Sequence, residues 1–147
     1  MSDNVGIRPA GPDDLADLIA LDSAVETDPE RADAIARWLA TATHDCFVAT
    51  IDARPVGYGV LHHNFFNHAL LEMLMVAAPL RGHGIGKALI EHAMTVSRTS
   101  LLWITTNQSN LAMRHLLGSM GFIPSGTIEG LDEGDPELVF RIITRSK

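Results

Sequence analysis

An arginine and three alternating glycines, Arg81, Gly82, Gly84 and Gly86, separate an apolar run from a segment with helical periodicity. In a turn that leads from a strand into a helix, glycines let backbone N–H groups point into a concavity. The first N–H groups of the helix lack partners at its positive end, and the arginine adds a planar cation. These residues predict a cradle for a phosphate or pyrophosphate group.

The loop matches neither of two common nucleotide-binding motifs. The dinucleotide motif G-x-G-x-x-G needs a glycine at its sixth position, which is Lys87 when counted from Gly82 and Leu89 when counted from Gly84. The P-loop motif needs Ser or Thr after its G-K pair, where this sequence has Ala88. On the loop alone, a tight turn without a ligand and a cradle for another phosphate both stay open.

Glu72 is the only charged residue in the apolar run ALLEMLMV at residues 69–76. A lone carboxylate is seldom buried in such a strand without a reason, and desolvation makes a carboxylate a stronger base. Glu72 is therefore a candidate general base, and a carboxylate bound by a neighbouring backbone N–H is the alternative. No Cys or carboxylate joins His62, His63 and His68 at a recognised metal-site spacing, so we predict a hairpin turn there and no metal site.

Hydrophobic periodicity and turn signals predict the elements that position these residues. Strands are predicted at residues 5–8, 46–51, 56–64, 69–76, 101–106, 122–130 and 136–143, and helices at 11–24, 28–42, directly after Gly86, and 109–122. Asp28 and Pro29 are placed to cap and begin the second helix, and Gly121 to end the last one in a left-handed conformation. A strand–helix–strand unit around the glycine loop implies one parallel strand pair among antiparallel hairpins. The fold class is therefore α/β (mixed α+β), with a central mixed, mostly antiparallel sheet of about seven strands and helices on both faces.

The composition is that of a globular protein with one domain over residues 1–147. The net charge of −7 argues against nucleic-acid partners and anionic membranes, which bind positive surfaces. A single cysteine, Cys46, excludes an intrachain disulfide and fits a reducing compartment. The first residues show no secretory signal, and no run approaches the roughly 20 apolar residues of a membrane span. A cytoplasmic location and no membrane partner are expected.

Several segments resemble one protein family. RGHGIG at residues 81–86 is similar to the R/Q-x-x-G-x-G/A pattern of the GNAT superfamily of N-acetyltransferases, and Val76 stands five residues before Arg81, where that family usually ends its fourth strand. NLAMRHLLGSMGF at residues 110–122 is similar to the family's N-x-x-A…G-F helix. The order of predicted elements is also the family's order. The resemblance spans nearly the whole chain and implies a GNAT-like fold.

The resemblance implies that acetyl-coenzyme A is the co-substrate and that no metal is needed. In this family the fourth strand splays from the fifth, and the same geometry is expected here, with the thioester in the wedge between the two strands. Backbone N–H groups of residues 83–87 would bind the pyrophosphate, Arg81 would shape the loop, and the strand end would pair with the pantetheine arm. The implied coenzyme-binding residues are Leu74, Met75, Val76, Arg81, Gly82, His83, Gly84, Ile85, Gly86, Lys87 and Asn110.

The resemblance also implies catalytic roles in the direct attack of an amine on the thioester. Glu72 would act as the base, directly or through water, and the N–H of Val76 would stabilise the carbonyl oxygen as it gains charge. Many relatives carry a tyrosine as general acid four residues before the G-F pair, where this sequence has Leu117. Either another group protonates the thiolate or the thiolate leaves unaided.

The resemblance implies an amine acceptor that enters between the first two helices and the last hairpin, regions that are rich in carboxylates here, although solvated acidic loops without a ligand role are the alternative. These carboxylates are Glu26, Asp28, Glu30, Asp132, Glu133, Asp135 and Glu137. An acidic surface attracts a cationic small molecule such as a polyamine or an aminoglycoside. A protein or peptide amine is the alternative, and so are a non-catalytic acyl-CoA sensor and a nucleotide-phosphate binder. Family members often form homodimers, and the sequence leaves the oligomeric state open.

Overall fold

The computed structural model describes residues 4–144. Its strands are β1 (Val5–Pro9), β2 (Asp45–Ile51), β3 (Arg54–Phe65), β4 (His68–Val76), β5 (Leu101–Asn107), β6 (Ile123–Ile128) and β7 (Glu137–Ile143). Its α-helices are α1 (Leu15–Leu21), α2 (Arg31–Ala40), α3 (Ile85–Val96) and α4 (Leu111–Ser119), with short 3-10 helices at Pro12–Asp14, Ser23–Glu26 and Ala78–Leu80. No helix within residues 4–144 has the length and apolar character needed to cross a lipid bilayer.

All seven strands belong to one sheet in the order β1-β2-β3-β4-β5-β7-β6. β4 and β5 form the parallel pair, and every other neighbouring pair is antiparallel. The parallel pair is joined through α3, as a strand–helix–strand unit requires. The predicted mixed, mostly antiparallel sheet of seven strands with one parallel pair is therefore confirmed.

Side chains alternate along the strands and feed two separate cores. On β2, Phe47 and Ala49 pack in the core under α3 and α4, whereas Cys46 and Val48 pack in the core under α1 and α2. This alternation buries both faces of the strand and places helices on both faces of the sheet, as predicted. Cys46 is buried there, and burial raises the pKa of its thiol to about 11.

Glu72 is an extra residue in β4. Val60 of β3 pairs with Met73 and Leu61 pairs with Leu71, so Glu72 has no partner and forms a β-bulge. Leu71 faces the core under α3 and α4, whereas Met73 faces the core under α1 and α2, so the alternation of faces changes at the bulge. The apolar run in the sequence carries no signal for this change.

The two predicted helix boundaries had different outcomes. α2 begins at Arg31 and not at Pro29, because the Asp28 carboxylate accepts the N–H of Glu30 at 3.0 Å in a turn that precedes the helix. Gly121 follows α4 with a φ of 92°, and the N–H of Phe122 donates to the carbonyl oxygen of Leu117 at 3.0 Å. The predicted left-handed helix end is confirmed.

Candidate functional site

A cleft of about 590 Å³ opens between the end of β4, the glycine loop and α4, and we name it the β4–α4 cleft. It is lined by every candidate coenzyme-binding residue except His83: Leu74, Met75, Val76, Arg81, Gly82, Gly84, Ile85, Gly86, Lys87 and Asn110. The His83 side chain turns back onto the loop, where its Nδ1 lies 3.1 Å from the carbonyl oxygen of Leu80 and 3.0 Å from that of Arg81. The fold thus brings together a strand, a loop and a helix cap that are separate in the sequence.

The glycine loop presents free N–H groups to this cleft. The first hydrogen bond of α3 runs from the N–H of Ala88 to the carbonyl oxygen of Gly84 at 3.1 Å, so the N–H groups of residues 85–87 have no acceptor within the helix. Gly82 and Gly84 have φ values of 82° and 88°, and a Cβ built at either position meets no atom within 4 Å. This open, positively polarised loop fits a pyrophosphate.

β4 and β5 separate beside the cleft. Their pairing ends at Leu71 and Ile104, although β4 continues to Val76. The N–H of Ala77 donates to a carbonyl oxygen on the β3 side at 2.8 Å, and successive N–H groups of a strand point to opposite sides. The N–H of Val76 therefore points into the wedge between the two strands. This geometry leaves a strand edge to which an extended chain can add.

Asn110 caps α4 at the far wall of the cleft. Its side-chain oxygen accepts the N–H of Met113 at 3.1 Å. α4 then presents Ala112, Met113 and Leu116 to the cleft, and the sequence analysis missed these residues. Their spacing was the available signal, because apolar residues at i, i+1 and i+4 share one face of a helix. Helical periodicity alone does not distinguish a cleft-facing stripe from a core-facing one.

Two histidines flank the carboxylate of Glu72. Nε2 of His44 lies 3.3 Å from Glu72 Oε1, and Nε2 of His62 lies 3.6 Å from the same oxygen. We name these three residues the Glu72 cluster. His44 lies between α2 and β2 and was not singled out from the sequence. Only the register of β2, β3 and β4 brings these positions together.

Glu72 is more exposed than the sequence analysis expected. Its side chain retains 35% of its accessible surface, so the expectation of a carboxylate buried in a wholly apolar strand is wrong. The β-bulge rotates Glu72 out of the alternation, and the pairing with β5 ends one residue earlier, so no neighbouring strand covers it. Glu72 therefore follows the last β4–β5 pair, where the wedge begins, and its carboxylate is partly exposed.

The three histidines of the β3–β4 hairpin lie in different surroundings. His62 belongs to the Glu72 cluster, and burial lowers the pKa of its imidazole. His63 Nε2 accepts the N–H of Arg98 at 3.0 Å, and His68 packs near Trp103. The ligand atoms of His44, His62 and Glu72 lie within 4.8 Å of one another, a grouping that the sequence analysis did not find.

At the position in α4 where the sequence analysis considered a tyrosine acid, this chain has a leucine, which cannot donate a proton. Leu117 is fully buried in the core. His115 lies on another face of α4 and lines a separate cavity of about 640 Å³ between α4, β6 and β7. Among the described residues, neither His83 nor any tyrosine lines the β4–α4 cleft.

Tyr58 has a structural role in the core under α1 and α2. Its hydroxyl donates to Asp22 Oδ2 at 2.6 Å, and Arg31 donates to the same oxygen at 2.9 Å. Burial and the neighbouring carboxylate raise the pKa of Tyr58. The network joins β3 to α2 through Asp22, the residue that follows α1.

Six of the seven acidic residues predicted to attract the acceptor divide into two groups, and the seventh, Glu137, is half-buried at the start of β7. Asp28, Asp132 and Asp135 accept hydrogen bonds from nearby backbone or side-chain groups and so stabilise their own loops. Glu26, Glu30 and Glu133 are exposed. Asp132 is also exposed, although its Oδ2 accepts a hydrogen bond from Asn107.

Comparisons with known proteins agree with this architecture. The family model of the acetyltransferase (GNAT) family matches residues 13–122. No curated protein gives a significant sequence match. An acetyltransferase of the GNAT family from Bacillus cereus ATCC 10987 has 28% identity and a TM-score of 0.87, covering 97% of this chain and 99% of its own.

Two further solved structures are similar in fold. A ribosomal-protein-alanine N-acetyltransferase from Brucella melitensis has 25% identity and a TM-score of 0.76, covering 94% of this chain and 99% of its own. A protein assigned as a streptothricin acetyltransferase from Bacillus anthracis Ames, in complex with acetyl coenzyme A, has 17% identity and a TM-score of 0.76. That match covers 95% of this chain and 99% of the other. At such a low identity, it supports similarity of fold and nothing further.

Proposed function

The chain belongs to the acetyltransferase (GNAT) family, and we propose that it is an N-acetyltransferase that moves the acetyl group of acetyl-CoA to a primary amine. The observation that carries this proposal is the β4–α4 cleft, where a strand edge, free helix N–H groups and an arginine line one cavity. We further propose that residues 1–147 form one domain that works in the cytoplasm.

The cleft supports a division of labour in coenzyme binding. The N–H groups of residues 83–87 would hold the pyrophosphate, and the open edge at Leu74, Met75 and Val76 would pair with the pantetheine arm. Asn110 and the apolar face of α4 would close the opposite wall. Acetyl-CoA supplies the activated thioester, and the N–H of Val76, which points into the wedge, would stabilise the carbonyl oxygen.

Glu72 is the proposed base. An ammonium loses two protons when it becomes an amide, of which one ends on the coenzyme thiol and one goes to solvent. Glu72 follows the last β4–β5 pair, where the wedge begins, and its side chain is 35% exposed, so it would take the proton that goes to solvent, directly or through water. Since Leu117 cannot donate, the thiolate would leave without a protein acid, which a thiol pKa near 8.5 allows.

The proposed acceptor is a cationic small molecule. The carboxylates of Glu26, Glu30 and Glu133 are exposed, and an acidic rim raises the local concentration of a cation. A peptide amine is the second candidate, which the similarity to a ribosomal-protein-alanine N-acetyltransferase favours.

A non-catalytic acyl-CoA sensor is the third candidate, from another class. Leu117, buried where many relatives have an acid, is the observation that favours it. Such a protein would bind acetyl-CoA but would not transfer the acetyl group to any amine.

Calorimetric titration with acetyl-CoA, with ATP and NAD as controls, tests the binding step. We expect saturable binding of acetyl-CoA alone. No binding to folded protein freed of copurified ligand would contradict the proposal. Preference for ATP or NAD would indicate a nucleotide-phosphate site.

An acceptor panel then tests the reaction. Release of free thiol is measured with spermidine, kanamycin and a peptide with an N-terminal alanine. Turnover of spermidine or kanamycin supports a cationic small molecule, and turnover of the peptide alone supports the second candidate. Binding without turnover on any amine supports the sensor.

A further inference from the structure

The Glu72 cluster contains a histidine whose protonation state is set by the backbone. The N–H of Asn64 donates to Nδ1 of His62 at 3.0 Å. A nitrogen that accepts a hydrogen bond carries no proton, so the neutral ring must carry its proton on Nε2. That nitrogen faces Glu72, at 3.6 Å from Oε1. His62 is therefore oriented to present a proton to the carboxylate.

This tautomer argues against a metal ion in the cluster. The separations of 3.3 and 3.6 Å between the histidine nitrogens and Glu72 Oε1 would suit neighbouring ligands of one zinc ion. A histidine that binds metal through Nε2 carries its proton on Nδ1 and donates it to an acceptor. Nδ1 of His62 instead faces the N–H donor of Asn64. If Nε2 of His62 bound a metal, the proton on Nδ1 would point at the N–H of Asn64.

The surroundings of Glu72 leave one oxygen free. Both imidazoles approach Oε1, and Oε2 has no hydrogen-bond partner among residues 4–144. The two separations exceed an ordinary hydrogen bond, but the side chain is one-third exposed, so a small rotation brings Oε1 within range of either ring. Oε2 is then available to the acceptor amine while Oε1 contacts the histidines.

The ionisable groups considered around this carboxylate lie on β2, β3 and α2 and in the loop before β2. His62 lies on β3, His44 in the loop before β2, and Cys46 on β2, where its raised pKa of about 11 keeps the thiol neutral. Arg31 on α2 is paired with Asp22. Since His62 is held neutral and the arginine is engaged, His44 is the remaining group that can accept a proton from Glu72.

We propose that the cluster is a proton relay in which His62 positions the ionised Glu72 carboxylate and His44 passes its proton to solvent. The proton leaves the acceptor nitrogen for Oε2, the carboxyl group then rotates so that this protonated oxygen faces His44, and Nε2 of His44 takes the proton. His44 releases its Nδ1 proton to solvent, and exchange with water returns the ring to its starting tautomer. The His44 side chain is 19% exposed, and its Nδ1 lies 3.4 Å from Oγ1 of Thr43, so the proton can leave through this hydroxyl or to water. The relay rests on the proposed function and gives its base a route to regenerate.

The first test reads the tautomer directly and needs no acceptor. Long-range ¹H–¹⁵N spectra of the imidazoles are recorded at pH 7.5, with His62→Gln and His44→Gln variants for assignment. We expect His62 neutral with its proton on Nε2. A proton on Nδ1, or a charged ring, would overturn the proposal.

The second test separates positioning from structure. His62→Gln keeps an amide donor near the Nε2 position, whereas His62→Leu removes it. With the panel amine that turns over, we expect His62→Leu to lower kcat roughly tenfold or more, with KM for the amine little changed. The acidic limb of its kcat/KM profile should also shift to higher pH. The reason is that the ionised carboxylate has lost a hydrogen-bond donor and is protonated more readily. His62→Gln should restore most of the rate and the wild-type pH profile.

Further controls keep the two proposals distinguishable. His63→Gln changes the neighbouring histidine, which contacts Arg98, and should leave the rate unchanged. Every variant is checked for acetyl-CoA binding, since loss of binding would reflect misfolding or failure of the proposed function. Equal losses in His62→Gln and His62→Leu would overturn the relay. One-to-one binding of Zn²⁺ that either histidine variant abolishes would overturn it in favour of a metal site.

Discussion

Nε of Arg81 donates to the carbonyl oxygen of Val76 at 3.1 Å, and this bond holds the glycine loop against the end of β4. The same guanidinium donates from Nη2 to Ser23 Oγ at 2.8 Å, in the 3-10 helix after α1. Arg81 therefore ties together three segments that border the wedge. Its role in the structure is that of a brace as much as that of a charge.

Replacing Arg81 with lysine tests this brace. Lysine keeps the positive charge but has a single ammonium, which cannot reach both oxygens as the guanidinium fork does. We expect the Kd for acetyl-CoA to rise roughly tenfold, which corresponds to about 1.4 kcal/mol. Arg54→Lys, at the exposed start of β3, is the matched control. Equal Kd values for the two variants by calorimetry would show that the charge alone matters.

Replacing Gly84 and replacing Gly118 with alanine should have opposite effects on the free energy of unfolding. Gly84→Ala places a side chain at a φ of 88°, which costs roughly 1–2 kcal/mol, and should weaken acetyl-CoA binding. Gly118→Ala, inside α4 with no atom within 4 Å of the new Cβ, should stabilise by roughly 0.5–1 kcal/mol. Chemical denaturation measures both. A stabilised Gly84→Ala would be inconsistent with the loop geometry described.

Glu72→Gln tests the proposed base. The amide is nearly the same size but cannot accept the proton, so we expect a fall in kcat of roughly 10²-fold or more near neutral pH. Binding of acetyl-CoA should be unchanged, because Glu72 is not part of the wall of the β4–α4 cleft. Glu91→Gln, an exposed glutamate on α3, is the control. If Glu72→Gln turned over at the wild-type rate, Glu72 would have no part in the chemistry.

Asp22 is expected to be a strong determinant of stability. Its buried carboxylate accepts hydrogen bonds from Tyr58, Arg31 and the N–H of Ala24. Asp22→Asn leaves the arginine without its counter-charge, and breaking a buried pair costs roughly 3–5 kcal/mol. Asp45→Asn breaks an exposed pair with Arg98 at 3.5 Å and should cost at most about 1 kcal/mol. Urea unfolding of both variants gives the comparison, and similar losses would contradict it.

Asp14 predicts part of the acid sensitivity of the fold. The Arg8 guanidinium, which donates to the carboxylate at 2.8 and 3.1 Å, lowers the pKa of Asp14 below its ordinary value of 3.8. A carboxylate whose pKa is lower in the folded chain stabilises the fold at pH values above its pKa in the unfolded chain. This stabilisation is lost as the pH falls through its pKa in the folded chain. Asp14→Asn should therefore melt at a lower temperature than the wild type at pH 6. The gap should narrow as the pH approaches 3, and a constant gap would assign the loss to packing.

Local patterns predicted much of the fold, because they report local physics. The glycine loop, the helix that follows it, the left-handed Gly121 and the parallel pair around α3 all follow from residues close in sequence. The misplaced start of α2 shows the limit of such patterns, since Asp28 can cap a helix or close a turn and packing selects between them.

The composition and short-range order of this chain were enough to identify a mixed sheet, a cradle at the start of α3 and one unusual carboxylate in β4. Long-range register decided what surrounds that carboxylate. The bulge at Glu72 turns it out of the strand, the end of the β4–β5 pairing exposes it, and three strands bring His44 and His62 beside it. A one-residue change in strand pairing moves every side chain to the opposite face, so these neighbours depend on the whole sheet and leave no local trace in the sequence.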